Sequence, residues 1–125
     1  MNKEILHTNN APEAVGPYSQ AILVNGVIYT SGQLGLNPST GTLENGIENQ
    51  TNRAMKSIGE ILKTKGATYK NIVKTTIFVK DLEQFGIINS IYESFFDGGY
   101  PSRSCVEVAR LPKDGLVEIE VVAVL

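Results

Sequence analysis

The chain carries one cysteine, one histidine and no tryptophan, and each scarcity removes a class of chemistry. A lone Cys105 cannot form an internal disulfide and fits a reducing compartment. With His7 as the only other soft donor, the three or four ligands of a zinc site are hard to assemble, and no metal centre is expected. His7 lies near an N-terminus expected to be loosely held and reads as a surface residue without a role. No Ser-His-Asp set can be composed around it, and no glycine loop has P-loop spacing. Positive charge is not in excess either: 11 Lys and Arg against 13 Asp and Glu leave a net charge of −2. That balance does not advertise a nucleic-acid partner. The longest purely apolar run, the final "VVAVL", is too short to span a bilayer, and "MNKEILHTNNAPEAVGPYSQ" lacks the apolar core of a signal peptide. A soluble, cytoplasmic protein is the expectation.

What remains is ordinary globular material, 125 residues long with 42% hydrophobic and 19% charged content, which fits a single domain spanning 1–125. A chain of this size buries roughly two-thirds of its unfolded surface. "AILVNGVIYTSG" reads as two short strands joined by Asn25-Gly26, a type I′ hairpin signal. Leu36 to Gly46 is a loop rich in turn formers. From about Ile47 to Lys65 the period becomes helical, with Ala54, Ile58, Ile61 and Leu62 on one face and Gly66 as the stop. Gly59 inside that helix costs about 1 kcal/mol relative to alanine, and close packing against the sheet is one reason to keep it. "NIVKTTIFVK" is a β-branched strand. Asp81 and Gln84 then form a capping-box pattern ahead of a stripe of Leu82, Phe85, Ile88, Tyr92 and Phe95. Gly86 within this second helix is expected to loosen it. Strands are expected from Arg103 to Ala109 and from Leu116 to Val124. The order β-β-β-α-β-α-β-β predicts an α+β two-layer sandwich, a mixed sheet with two helices on one face. The other sheet face carries apolar positions too, so self-association is expected.

The segment "PSRSCVEV" places Arg103, Cys105 and Glu107 on one strand face, with neighbours roughly 7 Å apart. Cys105 taken alone is a small buried hydrophobe, with no histidine partner to make a thiolate. Arg103 taken alone is either one half of a salt bridge, to Glu107 or to a last-strand glutamate, or a bidentate clamp for a carboxylate. In "LVEIEVVAVL", Glu118 and Glu120 share one face and Val117, Ile119 and Val121 the other. These glutamates are either solvated outer residues or, beside an arginine clamp, groups that orient a water. "GPYSQA" and "TSGQ" are either turns and strand ends or donors of backbone N–H and hydroxyl groups to a ligand.

Taken together, "APEAVGPYSQA", "IYTSGQLG", "NPSTG", "IVKTTIFVKDLEQF", "IYESFF" and "PSRSCVEVARLPKDGLVEIEVVAV" resemble the RidA (reactive intermediate/imine deaminase, YjgF) family, from about Ala11 to Val124. The resemblance implies a chorismate mutase-like α+β fold in a homotrimer with a central barrel, and ligand clefts between subunits. It implies hydrolysis of enamine/imine intermediates such as 2-aminoacrylate and 2-aminocrotonate to 2-oxo acids and ammonia, with no cofactor. It further implies that Arg103 binds the substrate carboxylate and Glu118 positions or activates the water. Tyr18, Ser31, Gly32, Asn89 and Cys105 would line the cleft, with Glu120 the lesser of the two glutamates. Ser102 replaces the small alanine common before the arginine. A non-catalytic module that binds small carboxylates is the alternative, and an RNA-directed activity has less support in the charge balance.

Overall fold

A computed structural model describes residues 1–125. Asn25 and Gly26 both take positive φ, 51° and 76°, as a type I′ turn requires, and join β2 (Ala21–Val24) to β3 (Val27–Thr30). A strand the hairpin pattern did not reveal, β1 (Lys3–Leu6), pairs antiparallel with β2. The N-terminus is therefore tied down rather than loose. Gln20, almost fully buried, completes the anchor: its Oε1 accepts from Thr8 N–H at 2.8 Å and its Nε2 donates to the Pro12 carbonyl at 2.8 Å. His7 remains exposed beside it.

A two-residue strand, β4 (Gln33–Leu34), precedes helix α1 (Gly46–Lys63). The buried stripe of α1 includes Ala54, Met55, Ile58, Ile61 and Leu62, and the turn after it closes at Gly66 with φ of 70°. Gly59 faces Tyr69, not the sheet. The Tyr69 hydroxyl crosses the helix there to donate to the Met55 carbonyl at 2.8 Å, and a Cβ on residue 59 would occupy its place. Thr68 and Asn71 form a reciprocal capping box on the short turn leading into β5 (Ile72–Val79). The Asp81 cap differs from the expected one: its Oδ1 accepts from Glu83 N–H at 3.0 Å and starts a 3-10 turn, Leu82–Gln84. Helix α2 proper runs Phe85–Glu93. Then follow β6 (Ser102–Glu107) and β7 (Val117–Val124).

The sheet order is β1-β2-β3-β7-β5-β6, with β4 also on β7. β5 and β6 are parallel, joined through α2, and the other pairs are antiparallel, so the sheet is mixed as expected. Alternation along the strands sends Ile77, Val79, Val117, Ile119, Val121 and Ala123 toward the helices, where they join Met55, Ile58, Leu62 and Ile88 in one core. Each fully buried large aliphatic side chain there contributes roughly 1.5–3 kcal/mol. The opposite face has no helix. Ile5, Ile22, Tyr29 and Val122 stand in register across β1, β2, β3 and β7, and Tyr29 is 50% exposed. Glu118 and Glu120 share this open face. No helix is long and apolar enough to cross a membrane.

Candidate functional site

Strand register decides which candidate residues meet. On the central β5, Thr75 is buried against the helices, and Arg103 of β6 stands directly beside it. Cys105 pairs with the equally buried Ile77. Arg103 and Cys105 therefore lie on the helix-covered side, at the sheet margin. Helix α2 supplies the rest of this wall. Phe85, Asn89 and Tyr92 are spaced i, i+4 and i+7, which puts them on one helix face.

The Arg103 guanidinium carbon sits 5.0 Å from the Tyr92 ring centroid and 5.3 Å from that of Phe85. Tyr92 is itself fixed, because its hydroxyl donates to Thr75 Oγ1 at 2.8 Å in a buried contact. The salt bridge considered for Arg103 is absent: the arginine enters none of the chain's ion pairs. Glu107 instead accepts from Leu82 N–H at 2.9 Å. The last-strand glutamates are excluded by topology, since β5 lies between β6 and β7 and they point from the opposite face. Asn89 keeps a buried Oδ1 without a partner. A cavity of about 490 Å³ opens here, lined by Asn89, Tyr92, Glu93, Tyr100, Pro101 and Arg103. Burial pushes the Cys105 thiol pKa up against the opposing pull of Arg103. The sulfur is thus held as a thiol, suited to lining rather than to attack.

The remaining candidates gather elsewhere. Glu118 pairs with Phe78 on β5 and with Leu34 on β4. Phe78 is three residues from Thr75, so its side chain leaves the opposite face of the sheet. A cavity of about 400 Å³ on that side includes Tyr18, Gln20, Ser31, Gly32 and Glu118. Ser31 donates its hydroxyl to the Ser19 carbonyl at 2.6 Å, so its proton is already committed. Gly32 is where the backbone meets the carboxylate: a Cβ there would lie 2.7 Å from Glu118 Cδ. Burial first, and the neighbouring charge of Glu120 second, raise the Glu118 pKa above the usual carboxylate range. Such a group is better matched to taking a proton near neutrality than an ordinary glutamate.

Within one chain, then, the cation half (Arg103, Asn89, Cys105) and the carboxylate half (Glu118, Tyr18, Ser31, Gly32) lie on opposite faces of the sheet. Phe85 and Tyr92 went unrecognised as part of the cation half, because their spacing is equally that of a core stripe. The available signal was their aromatic identity opposite a strand arginine.

Fold and residue placement define a class: a small α+β protein whose mixed sheet carries a cation-centred polar cluster on one face and a carboxylate-centred one on the other. The family model described as Endoribonuclease L-PSP matches residues 8–125. A RutC family protein, slr0709 from Synechocystis, is 48% identical over the whole of this chain and 98% of its own length. A 2-iminobutanoate/2-iminopropanoate deaminase from Rattus norvegicus is 45% identical, covering 98% of this chain and 90% of the rat protein. The solved structure of a Rid family protein from Yersinia pestis is 50% identical and superposes with a TM-score of 0.96, over 99% of this chain and 100% of that one. The chain belongs to this Rid (YjgF) family, as the motifs indicated.

Proposed function

We propose that this protein, a single domain over 1–125, hydrolyses small enamine/imine acids to 2-oxo acids and ammonia, in clefts completed between copies of the chain. The observation that carries this reading is the division of the site. Arg103 is a cation without a protein anion, Glu118 is a carboxylate with a raised pKa, and one chain keeps them on opposite sheet faces. A head-to-tail interface joins two different faces of neighbouring copies, and a closed ring such as a trimer then forms identical clefts. The apolar row Ile5, Ile22, Tyr29 and Val122 supports burial of the open face in such a ring.

The chemistry follows from the groups. The planar fork of Arg103 receives the substrate carboxylate through two parallel N–H donors. The enamine takes a proton from solvent at its terminal carbon and becomes the iminium form of the imine, whose C2 is electrophilic. Glu118 of the neighbouring copy orients a water and accepts its proton as the oxygen bonds to C2. Glu118 then passes that proton to nitrogen, the C–N bond breaks and ammonia leaves, and the hydroxyl proton returns to solvent as the carbinol carbon becomes the carbonyl of the 2-oxo acid. Asn89 Oδ1, a buried acceptor with nothing to accept, suits an N–H of the substrate. Ser31 and Gly32 flank the water side. Fixing the carboxylate and the water supplies most of what an activated imine needs, and the reading calls for no cofactor. The lone thiol fits a cytoplasmic setting.

Complementation tests both parts. Arg103→Ala and Glu118→Gln are each expected to lose nearly all 2-oxo acid release when a dehydratase generates 2-aminoacrylate in situ. Co-expressed at equal levels, they form mixed rings in which about one-quarter of clefts pair an intact Arg103 half with an intact Glu118 half. About one-quarter of wild-type activity is expected to return. Two dead variants that stay dead in verified mixed oligomers sink the shared cleft. A Glu118→Gln protein with full function, alongside an Arg103→Ala protein that no longer binds pyruvate, points to the carboxylate-binding module instead.

A further inference from the structure

Arginine clamps usually take their orientation from acidic or carbonyl partners, and Arg103 has none: its guanidinium enters no ion pair and no side-chain hydrogen bond of the chain. What it has instead are two aromatic rings, 5.0 and 5.3 Å away, on one face of α2. A free arginine side chain carries about 2 kcal/mol of rotamer entropy, which a ligand would otherwise have to offset on binding. An acidic partner would remove that entropy but would also compete with the substrate carboxylate for the same N–H donors. Aromatic faces attract the cation through their quadrupoles and leave the in-plane N–H groups free.

We propose that Phe85 and Tyr92 are positioning residues, an aromatic clip that holds the Arg103 guanidinium oriented for a carboxylate without using its donors. The proposal rests on Arg103 being the carboxylate clamp. Thr75 is the third member. It is fully buried, it is the register partner of Arg103, and its Oγ1 takes the Tyr92 hydroxyl at 2.8 Å. The helix that carries the ring is thus pinned to β5 at the register partner of the clamp, and β5 is in turn paired with the arginine's strand β6. Phe96 also packs on Tyr92, with ring centroids 4.8 Å apart and planes tilted by 48°.

The test has a readout that needs no substrate. In wild-type protein the Arg103 Nε–Hε resonance is expected to be shifted upfield by ring currents and to show restricted motion in ¹⁵N relaxation. Phe85→Leu keeps an apolar side chain of similar bulk but removes one ring, and is expected to weaken pyruvate binding about 3- to 5-fold. The doubly substituted Phe85→Leu/Tyr92→Leu protein is expected to lose about 10-fold or more, and its Arg103 signal to move to a random-coil position. In turnover the loss appears in KM, with kcat within about twofold. Tyr92→Phe keeps the ring and removes only the Thr75 bond, so it is expected to weaken pyruvate binding less than Tyr92→Leu and to retain the upfield Arg103 signal, which separates ring contact from the Thr75 bond. An Arg103 signal unshifted in wild type, or pyruvate affinity unchanged in the folded double variant, overturns the clip. A shifted, ring-dependent Arg103 signal in a protein that binds no small carboxylate leaves the clip standing and removes the functional reading instead.

Discussion

Replacing Gly32 by alanine adds a single methyl group at the point where backbone and Glu118 are closest. Its Cβ would lie 2.7 Å from Glu118 Cδ, 2.9 Å from Cγ and 3.0 Å from Oε2. Carbon atoms pack best at about 3.5–4.0 Å, so the carboxylate has to retreat by about 1 Å. Gly32 does not sit in the left-handed region of backbone space, so alanine itself adds no conformational strain there. Glu118 is only half-buried and can move into the adjoining cavity, which keeps the cost in stability to about 1 kcal/mol or less. A displacement of about 1 Å at a group that orients the attacking water costs about 100-fold in rate. Arg103 on the other face is untouched, so KM is expected to stay within about threefold. The assay follows 2-oxo acid release from in situ 2-aminoacrylate by coupled reduction, with thermal unfolding as the control for folding. Wild-type kcat in a folded Gly32→Ala protein would falsify the assignment of Glu118 as the group that handles the water.

Further outcomes follow from the same geometry. Because the Glu118 pKa is raised in the fold by burial and by Glu120, the folded state holds more protons than the unfolded state between the ordinary glutamate value, about 4.3, and the raised one. Stability therefore falls as pH rises through that window. Glu118→Gln removes the penalty, so its unfolding midpoint is expected to exceed wild type at pH 7 and the gap to close as pH drops below about 4.3. Equal midpoints at pH 7 contradict the shift. In wild type the acid limb of kcat/KM is expected above the usual carboxylate range, in line with the same group acting as base. Gly59→Ala is expected to destabilise by about 1–3 kcal/mol in urea unfolding, despite alanine's better helix propensity, because the methyl displaces the Tyr69 hydroxyl from Met55. Gly86→Ala, with nothing within 4 Å of the new methyl, is expected to stabilise by about 0.5–1 kcal/mol.

Much of the fold is local and was readable for that reason. The Asn25-Gly26 turn, the apolar stripe of α1 and the alternation of β7 each rest on residues within one or two turns of chain. β1 escaped because "KEIL" has no alternation of its own and becomes a strand only through the Ile5–Ile22 pairing. The two in-helix glycines look alike in sequence and differ in the fold, since only Gly59 meets a hydroxyl from a segment ten residues further on. The candidate site divides in the same way. Motif resemblance named its residues, and chemistry alone suggested a clamp for Arg103 and a water-orienting role for Glu118, each beside a structural alternative. That Arg103 and Glu118 face apart follows from the placing of β5 between β6 and β7 and from the parity of Thr75 and Phe78 along it.

What the sequence by itself determined is most of the elements, the family and the types of group available: a cation, a carboxylate and a thiol with no histidine beside it. Those properties belong to single residues and short spacings. Only the tertiary structure decided what each group faces. It turned Arg103 from a possible salt-bridge member into a cation held by two rings, and it gave Glu118 the burial that raises its pKa. Strand order and register set those surroundings, and both are fixed by contacts between residues far apart in the chain.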